Sequence, residues 1–285
     1  MNIVRTVDDV RNQVREWRKA GMTVGLVPTM GYLHEGHASL IKRAVAENDR
    51  VVVSTFVNPV QFGPTEDLST YPRDEKRDAD LCESVGAHLM FHPTPDEMYK
   101  NPKVSLVVKD LNDHLCGVTR PVHFHGVCTV VMKLFNIVTQ DKAYFGEKDA
   151  QQLAIVRKMV EDLNVPVQIV GCPIIREEDG LAKSSRNTYL SPEEREAALC
   201  LSRSIFYGQD HIKPQMKAAE LIAGMEAIIQ KEPLARIEYL KVVDALSMED
   251  VAIVDRPVLV AMAVKIGKTR LIDNFSFNPA GQDGE

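Results

Sequence analysis

The chain has 285 residues, enough for one large domain or two modest ones, and its 45% hydrophobic and 26% charged residues are ordinary for a globular protein with a core. A formal net charge of −6, with no long run of Lys or Arg, argues against a nucleic-acid binder, whose affinity rests on neutralising phosphates. The five cysteines (Cys82, Cys116, Cys128, Cys172 and Cys200) are widely spaced and form no Cys-x-x-Cys pair, so neither a disulfide framework nor a structural zinc site is expected.

In chain order, Thr6 followed by Asp9 resembles a capping box, and Val7, Val10, Val14 and Trp17 repeat at helical spacing until Gly21. Thr23 to Val27 reads as a short buried strand ending in Pro28, and Ala38 to Asn48 as a helix. Arg50 to Phe56 is the next strand, Asp74 to Val85 a charged helix, and His88 to Phe91 again strand-like. Val127 to Val138 reads as an apolar helix, Ala143 to Phe145 as a strand, Ala150 to Leu163 as a helix and Val167 to Cys172 as a strand. Strands alternating with helices predict an α/β fold, a Rossmann-like parallel sheet with helices on both faces.

After about residue 175 the pattern changes. Ser191-Pro192-Glu193-Glu194 predicts a helix start, Lys217 to Gln230 another helix, and Ile237 to Val243, Val258 to Val264 and Thr269 to Ile272 three strands. This predicts a domain over 1–175 and a smaller α+β domain over 176–285, with the last few residues loose. The amino end, Met-Asn-Ile-Val-Arg, lacks the apolar stretch of a signal peptide, and Val258 to Val264 is too short to span a bilayer. A cytoplasmic location without membrane contact is expected.

The most informative stretch is Pro28-Thr29-Met30-Gly31-Tyr32-Leu33-His34-Glu35-Gly36-His37, between the first of these strands and a helix. Open α/β sheets bind ligands at such carboxyl edges, and a helix start favours an anion. Two imidazoles three residues apart add N–H donors of the kind a phosphate needs in place as its charge rises. A chance pair of surface histidines and a metal site are the competing readings. For a metal, two ligands do not make a site, and the His-Glu-x-x-His spacing is absent.

Phe145-Gly146-Glu147-Lys148-Asp149-Ala150-Gln151-Gln152 also follows a strand and opens a helix. Gly146 allows close backbone approach, Lys148 supplies a point charge for a phosphate, and Gln152 lies one helical turn further on the same side. An ordinary βα turn carrying solvated charges fits equally well. Lys183-Ser184-Ser185-Arg186 places two cations around two hydroxyls, though short polar loops of this kind are common by chance; Gln61, after Asn58-Pro59, carries an amide able to donate and accept, or is a polar turn residue. Gly267-Lys268-Thr269 looks like the end of a Walker loop, but Met262 stands where its first glycine belongs. His123 and His125 are read as structural or solvated.

Taken together, these stretches resemble the pantoate–β-alanine ligase family. The likeness runs nearly end to end, through Val27-Pro28-Thr29-Met30-Gly31, His34-Glu35-Gly36-His37, Phe56-Val57-Asn58-Pro59, Gln61-Phe62, Tyr71-Pro72-Arg73, Phe145-Gly146-Glu147-Lys148-Asp149, Gln151-Gln152, Ser184-Ser185-Arg186-Asn187 and Leu271-Ile272-Asp273-Asn274. The His-x-Gly-His element alone is shared by a broad nucleotidyltransferase superfamily; the ordered set is more specific.

The resemblance implies a ligase that activates pantoate with ATP as a pantoyl adenylate, joins it to β-alanine, and releases AMP and pyrophosphate. It implies Mg2+ with the ATP, a homodimer and a lid-like second domain. Met30, Gly31, Tyr32, Leu33, His34, Glu35, Gly36 and His37 would line the ATP site, with Gly146, Glu147, Lys148, Asp149, Lys183, Ser184, Ser185 and Arg186. The main chain at Ile175 would lie against adenine. His37, His34 and Lys148 would act on the α-phosphate; Gln61 and Gln152 would hold pantoate, and Gln61 also β-alanine.

The metal ligands are left unassigned, with Asp78 and Asp149 as possible contacts. Lys183 stands where the family carries an apolar residue, and Val122 where it carries glycine. A nucleotidylyltransferase that stops after transferring AMP would share the His-x-Gly-His site without needing Gln61 or Gln152. A tRNA-charging enzyme and a non-enzymatic nucleotide sensor are the remaining rivals.

Overall fold

The computed structural model describes residues 1–64 and 66–281. The expected looseness of the last few residues falls on 282–285, outside the described residues. The elements are β1 (Asn2–Val4), α1 (Val7–Lys19), β2 (Val24–Thr29), α2 (Glu35–Glu47), β3 (Arg50–Thr55), α3 (Glu75–Ser84) and β4 (Leu89–Phe91). Two single turns, α4 (Pro95–Met98) and α5 (Cys116–Thr119), precede α6 (His123–Val138), β5 (Lys142–Gly146), α7 (Ala150–Asp162) and β6 (Gln168–Cys172). The chain continues with α8 (Pro192–Ala197), α9 (Leu199–His211), α10 (Ala218–Ile229), β7 (Ala235–Asp244), β8 (Val258–Ile266) and β9 (Thr269–Phe277).

Backbone contacts divide these elements into two units. One holds 1–109, 120–147 and 152–175; the other holds 110–119, 148–151 and the chain from 176 onward.

The first unit is built on a six-stranded sheet of order β1-β4-β3-β2-β5-β6, parallel at every pairing. Its central strands are apolar on both sides: Val51, Val52 and Val53 of β3 are all fully buried, as a parallel sheet covered on both faces requires. On one face Val27, Leu40, Ile41, Ala44, Val53, Cys82, Met90 and Tyr144 form a common core drawn from β2, α2, β3, α3, β4 and β5. The chain runs from β2 outward through β3 to β4, then returns to the other side of β2 as β5 and β6. The strand order therefore switches between β2 and β5, which opens a ligand crevice at their carboxyl ends in such folds. Both leading sequence stretches begin there.

Several elements of this unit differ from the sequence expectation. Strand β1 has no apolar alternation to announce it, with Ile3 exposed, and is defined by its pairing to β4. Helix α2 begins at Glu35, three residues early, because His34 caps it. Helix α6 starts at His123 rather than Val127, its first turn held against Gln61 and the extended 104–108 segment.

In the second unit β7, β8 and β9 make an antiparallel sheet in that order. Val258, Val260, Met262 and Val264 of the central strand pack with Leu201, Ile205, Leu221, Met225 and Ile229 from α9 and α10. Gly267 and Lys268 are the two-residue loop between β8 and β9, with Gly267 at φ +56. The apparent Walker fragment is thus a hairpin turn. Strand β9 runs on to Phe277, five residues beyond its expected end.

All five cysteines are buried. Burial pushes the Cys82 and Cys128 thiols up to about 12 and those of Cys172 and Cys200 up to about 11. A buried thiol that is not ionised is a poor nucleophile. At pH 8 an aromatic disulfide reagent is expected to leave the native chain untouched and to titrate all five thiols in denaturant. A fast-reacting thiol in the native protein would contradict the packing.

Candidate functional site

The turn from β2 into α2 is built around two imidazoles. His34 has extended backbone (φ −140) and caps α2, its Nδ1 accepting the Gly36 N–H at 3.1 Å. His37, one turn on, reaches back so that its Nδ1 accepts the His34 N–H at 3.3 Å. This is a capping box made with histidines in place of the usual hydroxyl and carboxamide or carboxylate. The rings lie together, centroids 4.1 Å apart and planes tilted by 38°.

A ring nitrogen that accepts a backbone N–H carries no proton, so each neutral imidazole holds its own N–H at Nε2. Two Nε2–H donors therefore sit together at the positive end of a helix, an arrangement suited to an anionic oxygen.

The turn preceding them is conformationally costly. Gly31 and Tyr32 both have positive φ, +82 and +49, the second unusual for a residue with a side chain. Asp78, buried on α3, accepts the Tyr32 N–H at 2.9 Å with Oδ2 and the Leu33 N–H at 2.7 Å with Oδ1. A side chain at position 31 would bring a Cβ to 2.9 Å from Asp78 Oδ2. The neighbouring Arg77 lays its guanidinium over the Tyr32 ring, 4.5 Å from the centroid. Burial pushes the Asp78 carboxyl above the ordinary Asp range, opposed by the Leu33 and Tyr32 amides, which favour the charged form. Its two oxygens are given to the main chain, which sets it apart from an open metal ligand. Leu33 is fully buried in the core, so only its main chain remains for a ligand contact.

Gln61 lies within the same unit and meets Met30: its Nε2 is 3.1 Å from the Met30 sulfur. Its Oε1 accepts from Asn58 Nδ2 at 3.1 Å, and Asn58 also donates to the Gly126 carbonyl at 3.1 Å. The Tyr99 hydroxyl donates to Asn58 Oδ1 at 2.8 Å, and burial pushes that phenol up to about 12, keeping it a neutral donor. His123 Nδ1 sits 3.0 Å from the Gln61 carbonyl oxygen. Gln61 is thus oriented through both its side chain and its main chain. Asn58 entered the sequence reading as part of the Phe56-Val57-Asn58-Pro59 stretch but with no role of its own, and Tyr99 gave no signal.

Arg73 of the Tyr-Pro-Arg stretch donates to the Tyr71 and Leu68 carbonyls, so it shapes its own loop. Val122 has φ −90 and ψ −13, open to any residue, so the valine costs the start of α6 no backbone strain.

Gly146 closes β5 with open space where a Cβ would stand. Among the described residues no packing neighbour explains a glycine there. Glu147 is exposed, and Gln152 is half-buried in the first turn of α7. Ile175 is half-buried beyond β6.

In the second unit Lys148 Nζ lies 3.3 Å from the Asp149 carboxylate, and the Lys148 carbonyl accepts from Asn274 Nδ2 at 2.8 Å. Gln151 differs sharply from its neighbour Gln152. It is buried, accepts the Cys116 N–H at 3.0 Å, and donates to the carbonyls of Leu111 and His114. Lys183 pairs with Glu177 at 3.0 Å, so its charge is engaged by a carboxylate. Ser184 caps the short turn Ser185–Tyr189, its Oγ accepting the Arg186 N–H at 3.3 Å, and Asn187 Nδ2 donates to the Ala182 carbonyl. Arg176 forms a bidentate pair with buried Asp273, at 2.7 and 2.9 Å. Among the described residues no group of three or more His, Cys, Asp or Glu side chains is arranged to hold a metal ion.

Helix α6 crosses the Gln61 turn at Gly126, where a Cβ would stand 2.5 Å from Gln61 Cα and 2.7 Å from the Val60 carbonyl carbon. Backbone cannot swing aside as a side-chain tip can. Gly126→Ala is expected to cost about 1–3 kcal/mol, read by urea unfolding, and to displace Gln61. An unchanged midpoint would contradict this packing.

A family model described as pantoate-beta-alanine ligase matches residues 2–276. The pantothenate synthetase of Ruminiclostridium cellulolyticum is 61% identical over 281 residues, covering 98% of this chain and 100% of that protein. Among solved structures, pantothenate synthetase from Thermus thermophilus superposes with a TM-score of 0.88 at 43% identity, over 96% of this chain and 99% of that one. Pantoate-beta-alanine ligase from Francisella tularensis, complexed with beta-gamma ATP and beta-alanine, gives a TM-score of 0.80 at 32% identity over 96% of this chain and 97% of that one.

Proposed function

The chain belongs to the pantoate–β-alanine ligase family, and from that premise we infer how its residues carry the family's reaction, the ATP-dependent condensation of pantoate with β-alanine. The observation that carries the assignment of roles is the imidazole pair, whose Nδ1 atoms are fixed by backbone amides and whose protons therefore stand at Nε2.

A carboxylate does not acylate an amine in neutral water, because its oxygen is a poor leaving group. In the first step a pantoate carboxylate oxygen attacks the α-phosphorus of ATP. The bond to the β-phosphate oxygen breaks, and pyrophosphate leaves with the electron pair. Charge rises on the α-phosphate oxygens, where the Nε2–H groups of His34 and His37 and the ammonium of Lys148 stabilise it. Magnesium enters as part of the substrate, as Mg2+–ATP. Met30 to His37, together with Gly146, Glu147 and Asp149, contact the nucleotide, and the Ile175 main chain meets adenine. Lys183, Ser184, Ser185 and Arg186 hold the departing phosphates, with Lys183 exchanging its Glu177 partner for them.

In the second step the neutral amine of β-alanine attacks the pantoyl carbonyl carbon. A proton leaves the nitrogen, AMP departs, and the amide is formed. Gln61 and Gln152 hold pantoate and Gln61 also meets β-alanine; the Asn58 and Tyr99 contacts described above set the direction of the Gln61 amide. An acyl adenylate hydrolyses readily, so water must be kept out. In this reading residues 1–175 bind ATP and pantoate, and residues 176–285 serve as the lid.

A cytoplasmic homodimer completes the reading. What supports a second copy is the extended 104–108 segment, anchored to α6 by Leu106 and Val108 amides while Val104 and Val107 stay exposed. Among the described residues no helix is long and apolar enough to cross a membrane.

Incubation with ATP, pantoate and β-alanine is expected to give AMP, pyrophosphate and the amide in equal amounts; ADP and phosphate would contradict adenylate chemistry. His37→Ala is expected to lower the rate roughly 10²–10³-fold in pantoate-dependent exchange of pyrophosphate into ATP. Unchanged exchange in both His34→Ala and His37→Ala would remove the site assignment.

A further inference from the structure

The imidazole pair depends on a stretch of backbone that would not adopt its shape unaided. Two successive residues before it, Gly31 and Tyr32, have positive φ, and for Tyr32 that conformation is a standing cost. The turn makes no regular helix or strand bond at the Tyr32 and Leu33 amides; both are directed at one carboxylate of a different helix, 46 and 45 residues away in sequence. Asp78 is 2% exposed, and Gly31 leaves its Oδ2 no room for a side chain at that position. Helix α3 grips the same turn a second time through Arg77 over the Tyr32 ring. The helix that carries the carboxylate is itself anchored, since α3 packs through Cys82 into the core shared with Leu33, Val53 and Met90.

We propose that Asp78 is a positioning residue for the adenylation step: by accepting the Tyr32 and Leu33 N–H groups it fixes the turn that delivers His34 and His37 with their Nε2–H groups side by side. The inference rests on the reading of the imidazole pair as the α-phosphate site. It gives Asp78 no contact with substrate, metal or reacting atoms. A carboxylate suits the task because both its oxygens accept, whereas a carboxamide would set an NH2 group against one of the two amides. Loss of that acceptor would let the turn relax and carry His34, the next residue after Leu33, with it. A displacement on the scale of 1 Å at a reacting group can cost roughly 10²-fold.

The test is Asp78→Asn in the full-length protein, with two readouts. The first is pantoate-dependent exchange of pyrophosphate into ATP, resolved into kcat and KM. The second is the nitrogen-15 NMR spectrum of the His34 and His37 rings without substrates, which reports the tautomer and needs no assumption about ATP. The expected result is a kcat lower by roughly 10- to 100-fold, an ATP KM changed much less, and ring signals moved away from the pure Nε2–H form. Should Asp78→Asn fail to fold, Asp78→Glu keeps the charge and displaces the oxygens, and the same two changes are expected at smaller amplitude.

A lowered kcat with unmoved ring signals would overturn the proposal by giving Asp78 a direct role in the reaction. Full exchange activity with unmoved signals would overturn it by leaving Asp78 a structural residue only. Failure of the underlying reading is distinguishable, because it would appear as intact exchange in His37→Ala whatever Asp78→Asn does.

Discussion

The proposed chemistry hangs on one local constraint: both imidazoles at the start of α2 spend Nδ1 on backbone amides. That use of Nδ1 ends the strand-to-helix turn, satisfies two amides the helix cannot, and fixes the tautomer. A serine or aspartate cap would satisfy the same amides but offer no outward N–H. Forming the helix aims the donors, and the Asp78 carboxylate of α3 holds the turn that leads into it. The donors stand at the carboxyl end of β2, where the strand order of the parallel sheet switches between β2 and β5.

Around this point the molecule puts its constraints into backbone. The Gly31–Tyr32 turn is held through main-chain amides, the Gln61 turn through its carbonyl, and α6 comes so close at Gly126 that no side chain fits. Binding groups supported in this way have little freedom left to lose when a ligand arrives. In the second unit, polar residues divide by how many of their groups the fold consumes. Gln151 spends its amide on three backbone groups of the 111–116 segment, and Arg176 spends its guanidinium on Asp273. These are structural members that merely sit beside binding sequences.

Much of this was legible beforehand. The alternation of apolar strands and helices gave the parallel sheet, and the family resemblance is matched by relatives along nearly the whole chain. Local cues work within one turn of chain: the Ser191–Glu194 capping box formed as read, while Thr6 caps α1 through the Asp9 N–H and bonds the Asp9 carboxylate with its hydroxyl, without the reciprocal backbone bond of a full box. What escaped depends on partners distant in sequence. Asp78 looks like any acidic residue of a charged helix until α3 is folded against the β2–α2 turn. Gly126 stands one residue ahead of the expected apolar helix and gives no signal until Gln61 is beneath it. Strand β1 is three residues long and exists because β4 pairs with it. Glu177, which takes the charge of Lys183, lies across a tight hairpin closed at Gly180. The Gly267-Lys268-Thr269 string, set aside as a Walker loop because Met262 stands in place of the first glycine, is a hairpin loop.

The central claim concerns where the inner phosphoryl group of the nucleotide rests. A crystal structure of the protein with a non-hydrolysable ATP analogue and pantoate measures it directly. The account predicts an α-phosphoryl oxygen about 2.7–3.2 Å from the Nε2 atoms of His34 and His37, with both Nδ1 contacts to the backbone preserved. An α-phosphoryl group beyond hydrogen-bonding reach of both rings, or rings turned so that Nδ1 faces the nucleotide, would contradict it.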